Sequence, residues 1–335
     1  MNIILELKFK KLSDDVKEAI KYAVDSDDDY YEIASSRIQE LLPSKNTYIL
    51  NSANSCILTV IESLPEPILI PDQGGWNGFK KSASILGKNI CEIPTDNGMI
   101  NIEELPYYIE EYDIKSVYIT SFAGYHALQP VEEIYDICNT HQTILVLDIS
   151  PSIGYHDINQ HCDVQIASTG SPKIINVENG GFINDLTGKL KLNNHLLKTF
   201  KADKLTCAAI AKEIPKAPSI IKKTIKANTY LKKRLSEIIT SPEYYVIDYK
   251  SIGLNTIIKV ESKKKAKTLS YEIRRQINIT PNKSIITTGP NYNRIKTASI
   301  IIEIKNIDVD DLTKEKMDEL IKIIANTVNN IEKNS

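Results

Sequence analysis

The feature that most constrains this chain is an alternation of short β-rich runs with amphipathic helical segments. The β-rich runs are TYIL, PILIP, ICEIP, SVYIT, ILVLD and VQIAS, and helical patterns such as NGFKKSASILG and VEEIYDICNT fall between several of them. Because a parallel crossover needs about a dozen residues or more to return, the alternation predicts a mostly parallel sheet with helices on both faces. The expected fold class is α/β.

The pattern changes after about residue 205. A long helical region is followed by YYVIDY, NTIIKVES, the helical pattern AKTLSYEIRRQI, the run ASIIIEIKN and a terminal helix. We therefore expect N-terminal helices and a large α/β domain in residues 1–205, and a linking helix with a small α+β domain in residues 206–335. Single cores stop growing near ~250 to 300 residues, so a chain of 335 residues has room for both.

Composition and simple motifs exclude several classes of protein. Five scattered cysteines without a Cys-x-x-Cys pair predict neither a zinc site nor a disulfide framework, and favour a reducing cytoplasm. No run approaches the ~18 to 20 apolar residues that span a bilayer, and the glycine-rich dinucleotide and phosphate-loop motifs are missing from the sequence. His156, His161, Cys162 and Asp163 lie close together, but without a second cluster they predict a loop and no metal.

The residues directly after the strands are the candidates for a site, because open α/β sheets bind ligands beyond the carboxyl ends of their strands. NSANSC follows TYIL and opens a helix, DQGGW follows PILIP, and SFAGYHALQP follows SVYIT. Asp148 closes ILVLD, and STGSPK after VQIAS places Lys173 25 residues farther on. These strand ends predict a polar site at one edge of the sheet.

This set of residues resembles the cofactor site of fold type I pyridoxal-phosphate enzymes, the aspartate aminotransferase superfamily, over about residues 45 to 185. The resemblance implies that Lys173 forms the Schiff base with pyridoxal 5′-phosphate and that Asp148 pairs with the pyridinium nitrogen. Gly180 and Gly181 follow the lysine at the spacing of the nucleotide-sugar aminotransferase branch, and would let the backbone turn tightly into the next strand.

The resemblance also implies contacts to the rest of the cofactor. Backbone amides near Ala53, Asn54 and Ser55, at a helix N-terminus, would hold the phosphate, although many relatives have Gly-Thr in place of Ala53-Asn54. Ser168 matches a phosphate-contacting serine of the same branch. Trp76, the one tryptophan of the chain, falls at the position of the aromatic residue that stacks on the cofactor ring.

Two residues are candidates for contact with the substrate. Arg294 precedes the terminal strand of the small domain, where arginines of the family often bind the substrate carboxylate in a bidentate manner. His126, in SFAGYHALQP, is the second candidate. The roles of His126 and of its neighbour Gln129 stay open.

The reaction is less constrained than the cofactor. The spacing from Lys173 to the glycine pair and the position of Trp76 favour an aminotransferase acting on a small amino substrate, and the resemblance implies a homodimer. A cysteine desulfurase is disfavoured because the last cysteine, Cys207, lies in a helix-like stretch and Pro172 stands where that group usually has histidine. The amino donor, the acceptor and the pathway stay open.

Two other functions also stay open. One is a transferase or lyase of the selenocysteine or phosphoseryl-tRNA type, because residues 187–234 carry twelve Lys and one Arg against two acidic residues, a net charge of +11 that could receive tRNA. Solvated helix faces are the simpler explanation of that charge. The other is a non-catalytic homologue that binds pyridoxal phosphate, against which the presence of both Lys173 and Asp148 argues.

Overall fold

The computed structural model describes residues 5–155, 160–291 and 293–333. Its strands, in chain order, are β1 (Leu5–Lys8), β2 (Asn46–Leu50), β3 (Ile68–Pro71), β4 (Ile90–Ile93), β5 (Ser116–Thr120), β6 (Phe122–Ala123), β7 (Ala127–Leu128), β8 (Ile144–Asp148), β9 (Val164–Ser168), β10 (Gly181–Asp185), β11 (Tyr245–Val246), β12 (Thr256–Lys259), β13 (Ile277–Thr280), β14 (Ile286–Asn291) and β15 (Ile295–Ile302). The six runs predicted as strands from the sequence all contain strands.

The helices include every helical pattern named from the sequence, and two short ones, Leu105–Glu111 and Asn194–Thr199, that were not predicted. They are α1 (Asp14–Asp25), α2 (Tyr30–Leu41), α3 (Ala53–Ser63), α4 (Gly78–Ile85), α5 (Leu105–Glu111), α6 (Val131–Thr140), α7 (Asn194–Thr199), α8 (Lys204–Glu213), α9 (Ala217–Ile238), α10 (Lys263–Arg274) and α11 (Lys314–Lys333), with short 3-10 helices at Ile214–Lys216, Ile304–Asn306 and Val309–Asp311. Among the described residues, no helix is both long enough and apolar enough to cross a membrane.

A seven-stranded sheet forms the centre of the larger part of the chain. Its strand order is β2-β10-β9-β8-β5-β3-β4, and β10 alone runs antiparallel to its two neighbours. Strand β5 is buried along its whole length because helices cover both faces of the sheet. The expected α/β class with a mostly parallel sheet is therefore confirmed.

The C-terminal part contains a four-stranded antiparallel sheet, β11-β12-β15-β14. A separate hydrophobic cluster joins this sheet to α9, α10 and α11. Strand β1 pairs in parallel with β13, so the start of the chain packs on this C-terminal part. The division at 205/206 stays a prediction, and α8 runs across that position.

The topology places the expected site residues at one edge. The parallel strands point their carboxyl ends the same way, so the segments that follow β2, β3, β5, β8 and β9 meet there. Because β10 runs in the opposite direction, its first residue, Gly181, lies at this edge too and pairs with Ser168 and Leu50.

Candidate functional site

A cavity of about 360 Å³ lies at the carboxyl edge of the seven-stranded sheet. Seven of the nine residues expected in a site line it. They are Ala53, Asn54, Trp76, Asp148, Ser168, Lys173 and Arg294. Ser55 and His126 are not among the lining residues, whereas Tyr125 and Lys305, which the sequence analysis did not select, are.

Lys173 lies in the loop between β9 and β10. Its Nζ donates a hydrogen bond to the hydroxyl of Tyr125, and its carbonyl oxygen accepts one from Nζ of Lys10 at 3.2 Å. Enclosure by the surrounding protein lowers the pKa of Lys173 to about 8, and the carboxylate of Asp148 partly opposes this effect. A lysine with this pKa is neutral in roughly one molecule in ten at pH 7, which provides a nucleophilic amine.

Asp148 is the last residue of β8 and is 6% exposed. Its Oδ1 accepts a hydrogen bond from the amide of Ser150 at 2.9 Å. Burial raises the pKa of this carboxyl group, while Ser150 and the charge of Lys173 act in the opposite direction. A cation placed next to Asp148 in the cavity would therefore be stabilised by the carboxylate and would hold it in its ionised form.

The N-terminus of α3 forms the wall next to β2. Ser52 caps the helix, since its Oγ accepts a hydrogen bond from the amide of Ser55 at 3.1 Å. The Ser55 hydroxyl is directed to Oδ1 of Asn51 at 2.6 Å, so Ser55 serves the cap and does not reach the cavity. Ala53 and Asn54, the first two residues of α3, line the cavity at the positive end of the helix.

The glycine pair permits a close approach to α3. Gly180 has a φ of +79°, a conformation that favours glycine, and so turns the chain into β10. At Gly181, a Cβ would lie 2.7 Å from the carbonyl oxygen of Ala167 and 2.8 Å from the amide nitrogen of Ala53. Glycine is therefore required where β10 begins, next to the helix end that faces the cavity.

Trp76 and Ser168 also line the cavity. The Trp76 side chain is 41% exposed, and its Nε1 donates a hydrogen bond to Oδ1 of Asn54 at 3.2 Å. Its indole is therefore a partly open wall of the cavity and not a core residue. The hydroxyl of Ser168 accepts a hydrogen bond from the amide of Gly170 at 3.3 Å.

An ion cluster of the C-terminal part contributes Arg294 and Lys305 to the cavity wall. Oε1 of Glu303 accepts a hydrogen bond from Nη1 of Arg294 at 2.8 Å, and Oε2 lies 3.0 Å from Nζ of Lys305. Burial alone would raise the pKa of Glu303, but the charges of Lys305 and Arg294 outweigh it and lower that pKa to about 2. Burial lowers the pKa of Lys305 to about 8.

Tyr125 connects this cluster to Lys173. Its ring centre lies 4.9 Å from Nζ of Lys173, 4.9 Å from Cζ of Arg294 and 5.3 Å from Nζ of Lys305. The residue is 6% exposed, and burial raises its pKa, so the hydroxyl stays protonated at neutral pH. The segment SFAGYHALQP points to this loop, but nothing in it distinguishes Tyr125 from His126.

His126 is placed differently from the expectation. Its ring is fully buried, and Nε2 lies 2.8 Å from Oδ2 of Asp248. Burial lowers the pKa of this histidine despite the adjacent carboxylate. The structure thus gives His126 an internal partner and no face on the cavity, so we do not propose it as a substrate contact.

Gln129 and the residues around His161 were the other polar candidates, and in the part of the chain that the structure describes neither forms a ligand site. The Gln129 side chain accepts from the amide of Ile100 at 3.1 Å and donates to the carbonyl of Gly98 at 2.7 Å. His156 lies outside the described residues. Within the described ranges, no group of His, Cys, Asp and Glu side chains could hold a metal ion.

Comparison with known proteins gives one family match, over the C-terminal part. Residues 218–325 match the family described as the MJ1341 family C-terminal domain. The search of curated proteins gives no match.

Solved structures resemble the chain over nearly its whole length. An alanine–glyoxylate aminotransferase from Nostoc sp. is 13% identical with a TM-score of 0.70, and the alignment covers 98% of this chain and 96% of the other. The Helicobacter pylori aminotransferase PseC, involved in the biosynthesis of pseudoaminic acid, is 13% identical with a TM-score of 0.71 and coverage of 97% and 99%. A serine palmitoyltransferase from S. paucimobilis with a bound PLP-myriocin aldimine is 10% identical with a TM-score of 0.75 and coverage of 98% and 88%.

This chain has their fold. The expected fold type I architecture is therefore confirmed.

Proposed function

We propose that the protein is a pyridoxal-phosphate-dependent transferase, and that it acts as an aminotransferase on a small amino substrate. The observation that carries this proposal is that Lys173 and Asp148 line one cavity together with the N-terminus of α3. Pyridoxal phosphate needs an amine for its aldehyde, an anion for its ring nitrogen and donors for its phosphate. When bound, the cofactor would supply an electron sink for the α-carbon of the substrate.

Each part of the cavity has a role in this proposal. Lys173 would hold the aldehyde through its side-chain amine, and the same amine would carry a proton to or from the substrate. Asp148 would keep the ring nitrogen protonated, because a buried carboxylate stabilises an adjacent cation. The amides of Ala53 and Asn54 would bind the phosphate, with Ser168 nearby. Trp76 would cover the ring.

Arg294 is our proposed contact for the substrate carboxylate. Its side chain is 15% exposed and lines the cavity. Only Nη1 has a hydrogen-bond partner among the described residues, so Nε and Nη2 keep N–H groups for a ligand. Glu303 holds the guanidinium at Nη1, which leaves Nε and Nη2 for a bidentate contact.

The competing reactions have less support from the geometry. Among the described residues no cysteine lines the cavity, and Cys207 is buried in α8 with its pKa raised to about 12 by desolvation. Part of the basic segment 187–234 is engaged in ion pairs or inside the protein. Lys189 pairs with Asp163, Lys216 with Glu213, and the fully buried Lys232 donates to main-chain carbonyls. Neither a desulfurase nor a tRNA-dependent enzyme is therefore favoured.

Borohydride trapping tests the proposed attachment of the cofactor. Pyridoxal phosphate added to the purified protein should give an absorption band in the visible region, and reduction with borohydride should fix the label on Lys173, as read by peptide mass spectrometry. Lys173→Ala should remove both signals. The matched control is Lys305→Met, because Lys305 lines the same cavity and its pKa is also about 8.

Labelling of Lys305 in the wild-type protein, or equal labelling of both lysines, would contradict the assignment.

The reaction class needs a second assay. Half-reactions with a panel of amino acids should convert the cofactor to pyridoxamine phosphate if the protein is an aminotransferase. Its homodimeric state, which we propose from the family resemblance, is measured by light scattering.

A further inference from the structure

Tyr125 occupies a fixed position at the centre of the cavity's charged groups. Its φ of +67° is unusual for a residue with a side chain, so the surrounding structure must impose it. Its carbonyl oxygen accepts hydrogen bonds from the amides of Leu254 at 2.7 Å and Asn255 at 3.0 Å. These contacts fix the backbone of Tyr125 to the C-terminal part.

The neighbouring glycine strengthens this attachment. A Cβ on Gly124 would lie 2.8 Å from the carbonyl oxygen of Arg294. The loop after β5 therefore packs directly against the segment that carries the proposed substrate contact. Tyr125 is thus held between the two parts of the chain, and its hydroxyl is directed to Nζ of Lys173.

We propose that Tyr125 is a positioning residue whose hydroxyl holds the reacting amine of Lys173 at one place in the cavity. This inference rests on the proposed role of Lys173. The hydroxyl is a neutral acceptor at pH 7, because burial keeps it protonated despite the three cations around its ring. A neutral acceptor stabilises the ammonium form of Lys173 without adding a negative charge next to Asp148.

The same hydroxyl suits both protonation states of the lysine. It accepts a hydrogen bond from the ammonium, and it can donate its own proton toward the lone pair of the neutral amine. The amine therefore has a partner before and after it loses its proton. Removal of the hydroxyl should leave the ring contacts intact but should withdraw that partner.

The test is Tyr125→Phe in cofactor-free protein. Reductive methylation across a range of pH, quantified for each lysine by peptide mass spectrometry, gives the pKa of Lys173 directly. We expect the acid dissociation constant of Lys173 to rise about tenfold in the variant, because one hydrogen bond to a charged group is lost. Lys305 is the internal reference, since it is also buried near the ring but bonds to Glu303.

If Tyr125→Phe changes the pKa of neither Lys173 nor Lys305, the proposal is overturned. Equal changes in the pKa values of both lysines would also overturn it, because they would show a general loosening of the cavity. Borohydride trapping with pyridoxal phosphate on the same two proteins separates this inference from the proposed function. Trapping on Lys173 without a Tyr125 effect rejects the positioning role alone, whereas a failure of trapping in the wild type rejects the cofactor role of Lys173.

Discussion

Glu303 is the carboxylate that joins two cationic side chains of the cavity wall, and we predict that Glu303→Gln destabilises the protein at pH 7 by about 3 kcal/mol. The magnitude follows from the pKa of about 2 in the folded protein against 4.5 for an ordinary glutamate. Because the pKa of Glu303 is lowered by folding, the ionised carboxylate stabilises the folded protein in full above pH 4.5. This stabilisation is lost as the pH falls toward 2. Glutamine keeps the size of the side chain but leaves Arg294 and Lys305 without their shared anion.

Thermal and urea denaturation measure this loss. With an unfolding entropy of roughly 2.1 cal/mol/K per residue, a loss of about 3 kcal/mol in a chain of 335 residues lowers the melting temperature by roughly 4 °C. At pH 3.5, one unit below the ordinary pKa of glutamate, the protonated form of Glu303 exceeds the ionised form about tenfold in the unfolded wild-type chain. The difference in unfolding free energy between wild type and variant should therefore narrow by roughly 1 kcal/mol.

The control is Glu261→Gln, because Glu261 is exposed and has no ion pair within the described parts of the chain. This variant should melt within about 1 °C of the wild-type protein. A second variant, Glu303→Gln with Lys305→Met, should recover part of the loss because it also removes a buried unpaired cation. If Glu303→Gln has the melting temperature of the wild type at pH 7, or if its loss of unfolding free energy does not depend on pH, the ion cluster does not stabilise the fold as argued.

Two further predictions concern single contacts. Ser52→Ala should cost about 1 kcal/mol through loss of the α3 cap and should also weaken the stabilisation by added pyridoxal phosphate, whereas Ser63→Ala at the other end of the helix should leave the phosphate-dependent stabilisation unchanged in the same melts. Lys232→Met should cost about 3 kcal/mol in urea denaturation, because Nζ donates to the carbonyls of His126, Asp248 and Ser251 inside the protein, and a variant as stable as the wild type would contradict that reasoning.

The sequence predicts those parts of the site that follow local rules. Asp148 and Lys173 could be placed because strand ends of a parallel sheet share one edge, and the strands are marked by short runs of β-branched and apolar residues. The phosphate end was assigned from the family resemblance, and a polar turn between a strand and a helix agrees with it because such a turn can present backbone amides. Both rules act within a few residues, so the chain shows them directly.

Side-chain direction inside such a turn is not shown by the sequence. Ala53, Asn54 and Ser55 are consecutive, but successive residues of a helix point about 100° apart. Ser55 is therefore rotated toward Asn51 and Ser52 while its two neighbours line the cavity. The same holds for Tyr125 and His126, where adjacent side chains face the cavity and the interior of the protein.

The charged wall of the cavity could not be predicted because its members are brought together only by the tertiary fold. Tyr125 precedes Glu303 and Lys305 by more than 170 residues, and a single lysine among 41 Lys and Arg residues carries no local signal. The residues matched by the MJ1341 family C-terminal domain, 218–325, include Arg294, Glu303 and Lys305 but neither Lys173 nor Asp148. The residues proposed for chemistry thus lie at the carboxyl edge of the seven-stranded sheet, outside the matched segment. Arg294, the proposed substrate contact, lies in the segment that the family match covers, so the cavity combines residues from inside and outside that segment.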